Sequence, residues 1–109
     1  MTAEDARRLA LALPDAVEQD HHGRPSFRVA GNIFATIWDE HTMNVMLDKP
    51  GIRTAVARHP NSCSERYWGK RLAAVSVDLS STTERELGEL LADAWETRAR
   101  RPARRVLGG

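Results

Sequence analysis

The sequence predicts an α+β fold: a two-layer domain with a mainly antiparallel sheet backed by helices. Apolar residues recur at helical spacing near both ends of the chain. Between residues 26 and 47 they alternate with polar residues, and the connections between the alternating segments are short. The 109 residues, 41% of them hydrophobic, suffice for one domain with one core.

The first predicted helix begins after Thr2, with Asp5 positioned to complete a capping box. It ends near residue 13, because the residue before a proline disfavours helical backbone and Pro14 follows. Its apolar stripe comprises Ala6, Leu9, Ala10 and Leu13.

Three strands are predicted next, over residues 26–29, 33–38 and 42–47. The turns between them contain Ala30-Gly31-Asn32 and Asp39-Glu40-His41, which are typical turn residues. Strands joined so closely form an antiparallel meander.

The second half of the chain predicts two helices around one strand. Pro50 suits the first turn of a helix running to about residue 58, and residues 72–79 alternate as a strand. Thr83 with Glu86 begins a helix that reaches about residue 100, whereas residues 61–71 have no clear pattern. The predicted order is α-β-β-β-α-β-α, as one domain over residues 1–101 with a disordered basic tail over residues 102–109.

Composition excludes several classes of protein. The formal net charge is only +1, so the chain is not a uniformly basic nucleic-acid binder. The basic residues concentrate in segments 23–79 and 98–109, whereas segments 1–22 and 80–97 are acidic. A lone cysteine, Cys63, allows no internal disulfide, and no apolar run is long enough for a membrane span. We expect a cytoplasmic protein.

Four stretches of sequence resemble the MmcQ/YjbR family: residues 13–18 (LPDAVE), 22–29 (HGRPSFRV), 31–35 (GNIFA) and the helical stretch 86–95. The resemblance covers residues 2 to 100. It implies a curved antiparallel sheet backed by helices, described as CyaY-like. It also implies a non-enzymatic DNA-binding role, by analogy with a double-wing phage transcription-factor domain. Many members carry a lysine where this chain has Asn32 and a basic residue where it has Glu96, so two positive charges are absent here.

The candidate nucleic-acid contacts are basic residues of the middle segment. Lys70 and Arg71 precede the last predicted strand, where a wing tip is expected, and Lys49 and Arg53 share a helix face at i, i+4 spacing. Such residues contact phosphates, with double-stranded DNA as the expected partner. The alternative is an ordinary solvated surface. The full set is Arg24, Arg28, Lys49, Arg53, Lys70 and Arg71.

A second candidate surface is the side of the sheet away from the helices. If Ile33, Ala35 and Ile37 face inward, alternation places Phe34 and Trp38 on the opposite side. Such a face suits a small molecule, a protein partner or nucleic-acid bases; the alternative is that its aromatic residues are ordinary core. The key residues of this ligand or partner face are Phe34, Trp38 and Met46, accompanied by Arg28, Thr36, Asn44 and Ser76.

Neither catalysis nor metal binding has a convincing pattern. His21 and His22 lie near Glu18 and Asp20, but no pair has the spacing of a helical metal motif. His59 and Cys63 are separated by Pro60, which disfavours the helix that would pair them. We therefore expect no catalytic residues, no metal and no cofactor. The arginines between residues 98 and 105 suit either a phosphate backbone or a soluble helix end.

Overall fold

Three helices and six strands make up residues 1–101, which are the residues that a computed structural model describes. The predicted basic tail over residues 102–109 lies outside the described part. The elements are α1 (Ala3–Leu11), β1 (Val17–His21), β2 (Arg24–Val29), β3 (Asn32–Asp39), β4 (Thr42–Val45), α2 (Lys49–Arg58), β5 (Cys63–Trp68), β6 (Arg71–Asp78) and α3 (Glu84–Ala99).

All six strands form one antiparallel sheet in the order β1-β2-β3-β4-β6-β5. Helices α1 and α3 pack on the middle strands, and α2 packs on β5 and β6. The core between the layers joins side chains of all three helices to one face of the sheet. The other face of the sheet carries no helix among the described residues.

This architecture confirms the predicted α+β class, and the predicted elements occur in the predicted order. Two further strands, β1 and β5, extend the sheet at its edges. Every residue of β1 is exposed, and only Cys63 is fully buried in β5. Because edge strands with exposed side chains need no apolar alternation, neither strand had the pattern that predicts one.

The three helices begin at the side-chain caps that their sequences offer. Thr2 and Asp5 form the predicted capping box at α1, and Thr83 accepts a hydrogen bond from the amide of Glu86 at α3. At α2 the cap is Asp48, whose carboxylate accepts from the amide of Gly51 at 2.8 Å. Each cap satisfies an amide that the first helical turn leaves unpaired.

A bulge in β3 corrects the predicted orientation of two side chains. Arg28 pairs with Ile33 and Phe27 with Ala35, so Phe34 is an extra residue without an opposite partner. The bulge interrupts simple alternation. Phe34, predicted for the ligand face, is instead completely buried in the helix-side core, and Ile33, predicted to face inward, lies on the open face. Trp38 stays on the open face despite a second irregularity between Ile37 and Asp39.

Within residues 1–101, none of the helices combines the length and the apolar character needed to cross a membrane.

Candidate functional site

The open face of the sheet forms a groove of about 740 Å³, hereafter the groove. Its lining comes from five strands, two of the turns between them and the end of α3. None of the described residues that line it is a carboxylate. The lining residues are His21, His22, Arg24, Arg28, Gly31, Asn32, Ile33, Thr36, Trp38, Met46, Trp68, Arg71, Ala73 and Arg98.

Trp38 is at the centre of a cation–aromatic cluster. The guanidinium carbon of Arg24 lies 3.7 Å from the centre of the Trp38 ring, and Nε of Arg24 donates to the Trp38 carbonyl oxygen at 2.9 Å. The guanidinium carbon of Arg66, on the far edge strand, lies 4.8 Å from the same ring centre. A tryptophan ring attracts cations through its electron-rich face, which offsets part of the repulsion between the two arginines.

Trp68 presents a second ring at the opposite end of the groove. It is the last residue of β5, and 44% of its surface is exposed. Gly69 follows with φ of +64°, a backbone conformation that glycine adopts without strain, and the chain turns back through Lys70 into Arg71. The Arg71 guanidinium carbon lies 5.6 Å from the Trp68 ring centre, so the hairpin end combines an aromatic surface with a cation.

Arg98 brings a third side of positive charge from α3. Its Nε donates to the carbonyl oxygen of Met46 at 3.5 Å. Burial, followed by the charges of Arg101 and Arg71, lowers the pKa of Arg98 from its usual value. Since arginine stays protonated at physiological pH, the shift reports a cation held among other cations and partly out of water.

Asn32 anchors the end of α3 beside the groove. Its Nδ2 donates to the carbonyl oxygens of Arg98 at 3.0 Å and Arg101 at 3.1 Å. These contacts satisfy carbonyls that the end of the helix leaves unpaired. The lysine that many relatives have at this position is thus replaced by a side chain that fixes the helix end carrying Arg98.

A row of polar side chains crosses the sheet floor, one from each strand. The register aligns neighbours across all six strands, and the row is Gln19, Ser26, Thr36, Asn44, Ser76 and Ser64. Thr36 lines the groove, so the residue paired with it, Asn44, faces the same side. Asn44 is completely buried, and neither its Oδ1 nor its Nδ2 has a hydrogen-bond partner among the described residues.

Two histidines form the rim at the β1–β2 turn. His22 and Gly23 have φ of +54° and +83°, which matches the tight two-residue turn that joins antiparallel strands. The His21 and His22 ring centres are 4.4 Å apart. Desolvation, then the charges of His22 and Arg28, lower the pKa of His21 from its usual 6.5. His21 therefore adds positive charge to the rim only under acidic conditions.

The arginines of the groove differ from those elsewhere in their electrostatic partners. Arg7, Arg8, Arg85 and Arg100 all form ion pairs with carboxylates. Within the part of the chain that the structure describes, no ion pair includes an arginine of the groove. The unpaired arginines are Arg24, Arg28, Arg66, Arg71 and Arg98, hereafter the groove arginines.

The helix layer carries the opposite charge. A smaller cavity of about 370 Å³, hereafter the acidic cleft, lies between α2 and α3. It contains two basic residues, Arg58 and His59, and His59 Nδ1 is 3.4 Å from a Glu86 carboxylate oxygen. Its five carboxylates are Asp48, Glu86, Glu89, Asp93 and Glu96.

Metal-ligating residues do not converge. Among residues 1–101 no group of three or more His, Cys, Asp and Glu side chains could hold a metal ion. Cys63 is buried, and its burial raises the pKa of the thiol above its usual value. A buried thiol of raised pKa is a poor nucleophile.

The structure divides the residues predicted for nucleic-acid contact. Arg24, Arg28 and Arg71 line the groove, as do Trp38 and Met46 of the predicted ligand face. Two others, Lys49 and Arg53, lie on α2 in the helix layer, and Lys70 lies in the exposed β5–β6 turn. The three do not line the groove.

Sequence reasoning missed Arg66, Trp68 and Arg98 as members of this site. Arg66 and Trp68 belong to the unrecognised strand β5, where their spacing of two would have placed them on one face. Arg98 had been assigned to the helix end and tail, and only the packing of α3 against the sheet shows that it reaches the groove.

Two comparisons with known proteins agree with this fold. A family model described as YjbR matches residues 11–97. The crystal structure of Deinococcus radiodurans protein DR2400, which carries domain DUF419, superposes with a TM-score of 0.73 at 22% sequence identity. That superposition covers 91% of this chain and 79% of the other, whereas no curated protein matches. Because the family model spans most of the sequence, the chain belongs to the YjbR family.

Proposed function

We propose that this protein is a non-enzymatic nucleic-acid-binding protein that holds the phosphates of DNA with the groove arginines. One observation carries the proposal: five unpaired guanidinium groups gather on one face, with no carboxylate among the described lining residues. Unpaired cations in a shared cavity repel one another, and a polyanion relieves that repulsion. Arginine is also the side chain best suited to phosphate, since its planar fork donates two parallel hydrogen bonds.

The aromatic rings favour nucleic acid over an acidic protein surface. Carboxylates and phosphates both pair with arginine, but Trp38 and Trp68 add flat surfaces between the charges. Nucleic acids combine a regular array of phosphates with flat bases, and aromatic side chains stack on bases. The resemblance to a DNA-binding double-wing domain supports the same assignment.

The non-enzymatic part of the proposal rests on the chemistry of the lining. Hydrolytic and acid–base catalysis need a nucleophile with a base, or paired acid and base groups at fixed positions. In the described lining the groups that titrate near neutrality are His21 and His22, and they sit on an exposed turn without a carboxylate partner. These groups suit binding better than bond cleavage.

A second candidate is a small-molecule or protein-partner module that uses Trp38 and Met46. The volume of the groove favours this alternative, since small-molecule sites typically occupy roughly 300–1,000 Å³. A neutral aromatic ligand would change Trp38 fluorescence without dependence on salt, whereas nucleic-acid binding weakens steeply as salt rises.

A titration followed by NMR tests the proposal. Isotope-labelled protein is mixed with a short DNA at low salt, both as duplex and as single strand, and backbone amide shifts are mapped onto the structure. We expect the shifts to concentrate on β2, β3 and the β5–β6 turn, with α2 and the acidic cleft unchanged. Absence of binding at low salt, or shifts centred on α2, would refute the assignment to the groove.

A further inference from the structure

We infer that the ligand of the groove is a single-stranded nucleic acid, whose bases stack on Trp38 and Trp68 and whose base edge hydrogen-bonds to Asn44. This inference rests on the proposed function and specifies the form of nucleic acid that the site takes. Three features carry it: an exposed aromatic ring, a cation that occupies a second ring, and an unpartnered amide beneath them.

Exposed rings recognise single strands because only single strands offer base faces. In a duplex each base is stacked on its neighbours, so a protein ring at the surface reaches only edges and backbone. Trp68 is nearly half exposed at one end of the groove, and Arg71 beside it is placed for the adjacent phosphate. A ring and a cation in this arrangement match the stacking platforms that bind single strands.

Arg66 currently occupies the Trp38 ring, and it reaches that ring across the sheet floor. Strands β6 and β4 separate β5, which carries Arg66, from β3, which carries Trp38. At about 4.8 Å between neighbouring strands, the two backbones are about 14 Å apart. The two side chains therefore meet above β4 and β6, where the register places Asn44 opposite Ser76.

This contact accounts for the burial of Asn44 on an otherwise open face. The amide has a donor and an acceptor, and neither has a partner in the described structure. A base that displaces Arg66 from the ring would keep the stacking energy, because aromatic bases and guanidinium groups use the same ring face. The displacement releases Arg66 to pair with a phosphate and brings a base edge to the Asn44 amide.

The dimensions of the groove suit a strand rather than a single nucleotide. From β2 to β5 the sheet spans four strand intervals, or about 19 Å. That distance corresponds to roughly six stacked nucleotides at 3.4 Å each. A mononucleotide would leave most of the groove arginines without a phosphate, so it should bind far more weakly.

The experiment compares four probes with the intact protein: a ten-nucleotide DNA strand of mixed sequence, the RNA of the same sequence, the DNA annealed to its complement, and adenosine monophosphate. We expect one or both single strands to bind more tightly than the duplex and to change tryptophan emission. Trp95 Nε1 donates to the Pro14 carbonyl oxygen outside the groove, so the titration is repeated in Trp95→Phe to remove its signal.

Two variants test the stacking and the hydrogen bond separately. Trp68→Ala should lower single-strand affinity by a factor of about 5 to 150, and the matched control Trp68→Tyr should retain most of it. Asn44→Val should lower single-strand affinity by a factor of about 2 to 12 without changing duplex affinity. Circular dichroism confirms that each variant is folded.

The outcomes separate this inference from the proposed function. If the duplex binds as tightly as the single strands and Trp68→Ala is neutral, the inference is wrong while nucleic-acid binding stands. If adenosine monophosphate competes on equal terms with the strands, the site takes a small ligand and the inference is also wrong. If no probe binds at low salt, the proposed function itself fails.

Discussion

Removing two of the groove arginines should flatten the salt dependence of nucleic-acid binding by a defined fraction. The variant is Arg28→Gln/Arg71→Gln, which removes two positive charges from side chains without carboxylate partners among the described residues. Neither side chain is fully buried, and neither caps a helix, so we expect the fold to tolerate the change. The matched control, Lys49→Gln/Arg53→Gln, removes the same charge from α2 outside the groove.

The magnitude follows from the number of phosphates engaged. Each neutralised phosphate contributes about −0.7 for a single strand, or about −0.9 for a duplex, to the slope of log K against log salt. Five groove arginines give a slope of about −3.5 for a single strand, and three give about −2.1. Between about 50 and 200 mM salt, the affinity of the wild type should fall about 130-fold and that of the double variant about 20-fold.

Fluorescence anisotropy with labelled DNA at four or more salt concentrations measures these slopes. The control variant should retain the wild-type slope, even though its net charge is the same as that of the groove variant. Equal slopes for wild type and groove variant would refute the reasoning. A reduced slope in the control would show that α2, rather than the groove, contacts phosphates.

Three further perturbations test the structure. Asn44→Val should raise the free energy of unfolding by about 1–3 kcal/mol, because it removes a buried amide without partners; urea denaturation would measure the gain, and destabilisation would contradict the assigned burial. Affinity for DNA should rise as the pH falls from about 7.5 to 5.5, since the lowered pKa of His21 leaves it neutral at the upper value and a nearby phosphate favours its protonation; His21→Gln should weaken this response. Asp48→Ala should cost about 1 kcal/mol of stability by removing the cap of α2, with DNA affinity unchanged.

Apolar spacing in the sequence was sufficient to predict the helices and central strands, but it carries no information about edges. Helices α1 and α3 and strands β3 and β6 each place apolar residues in one core, so their periodicity is visible in the chain. Strand β1 places no side chain in that core, and its residues read as a polar loop. Backbone hydrogen bonds to β2 hold it in the sheet, and such bonds leave no trace in the pattern of side chains.

The orientation of side chains was predictable only where the strands are regular. Trp38, Met46 and Asn44 lie on the predicted face, whereas the extra residue in β3 reverses Ile33 and Phe34. The pairing register decides where a bulge falls, and that register depends on contacts between strands rather than on either strand alone.

The candidate site was partly predictable for a related reason. Arg24, Arg28 and Arg71 were proposed from local charge and are brought together by neighbouring strands. Arg98 comes from the last helix, and no local pattern connects it to residues that precede it by more than twenty positions. Lys49 and Arg53 met the same compositional criterion as the groove arginines, but α2 lies in the other layer.

The separation of the groove from the acidic cleft gives a chain of formal charge +1 a pronounced electric dipole. A nearly neutral molecule is not drawn toward a polyanion as a whole, but a dipole rotates in the field of one. Approach with the helices foremost is repelled, and approach with the sheet foremost is attracted. Diffusional encounters would therefore be pre-oriented, without the indiscriminate attachment to anionic surfaces that a uniformly cationic protein suffers.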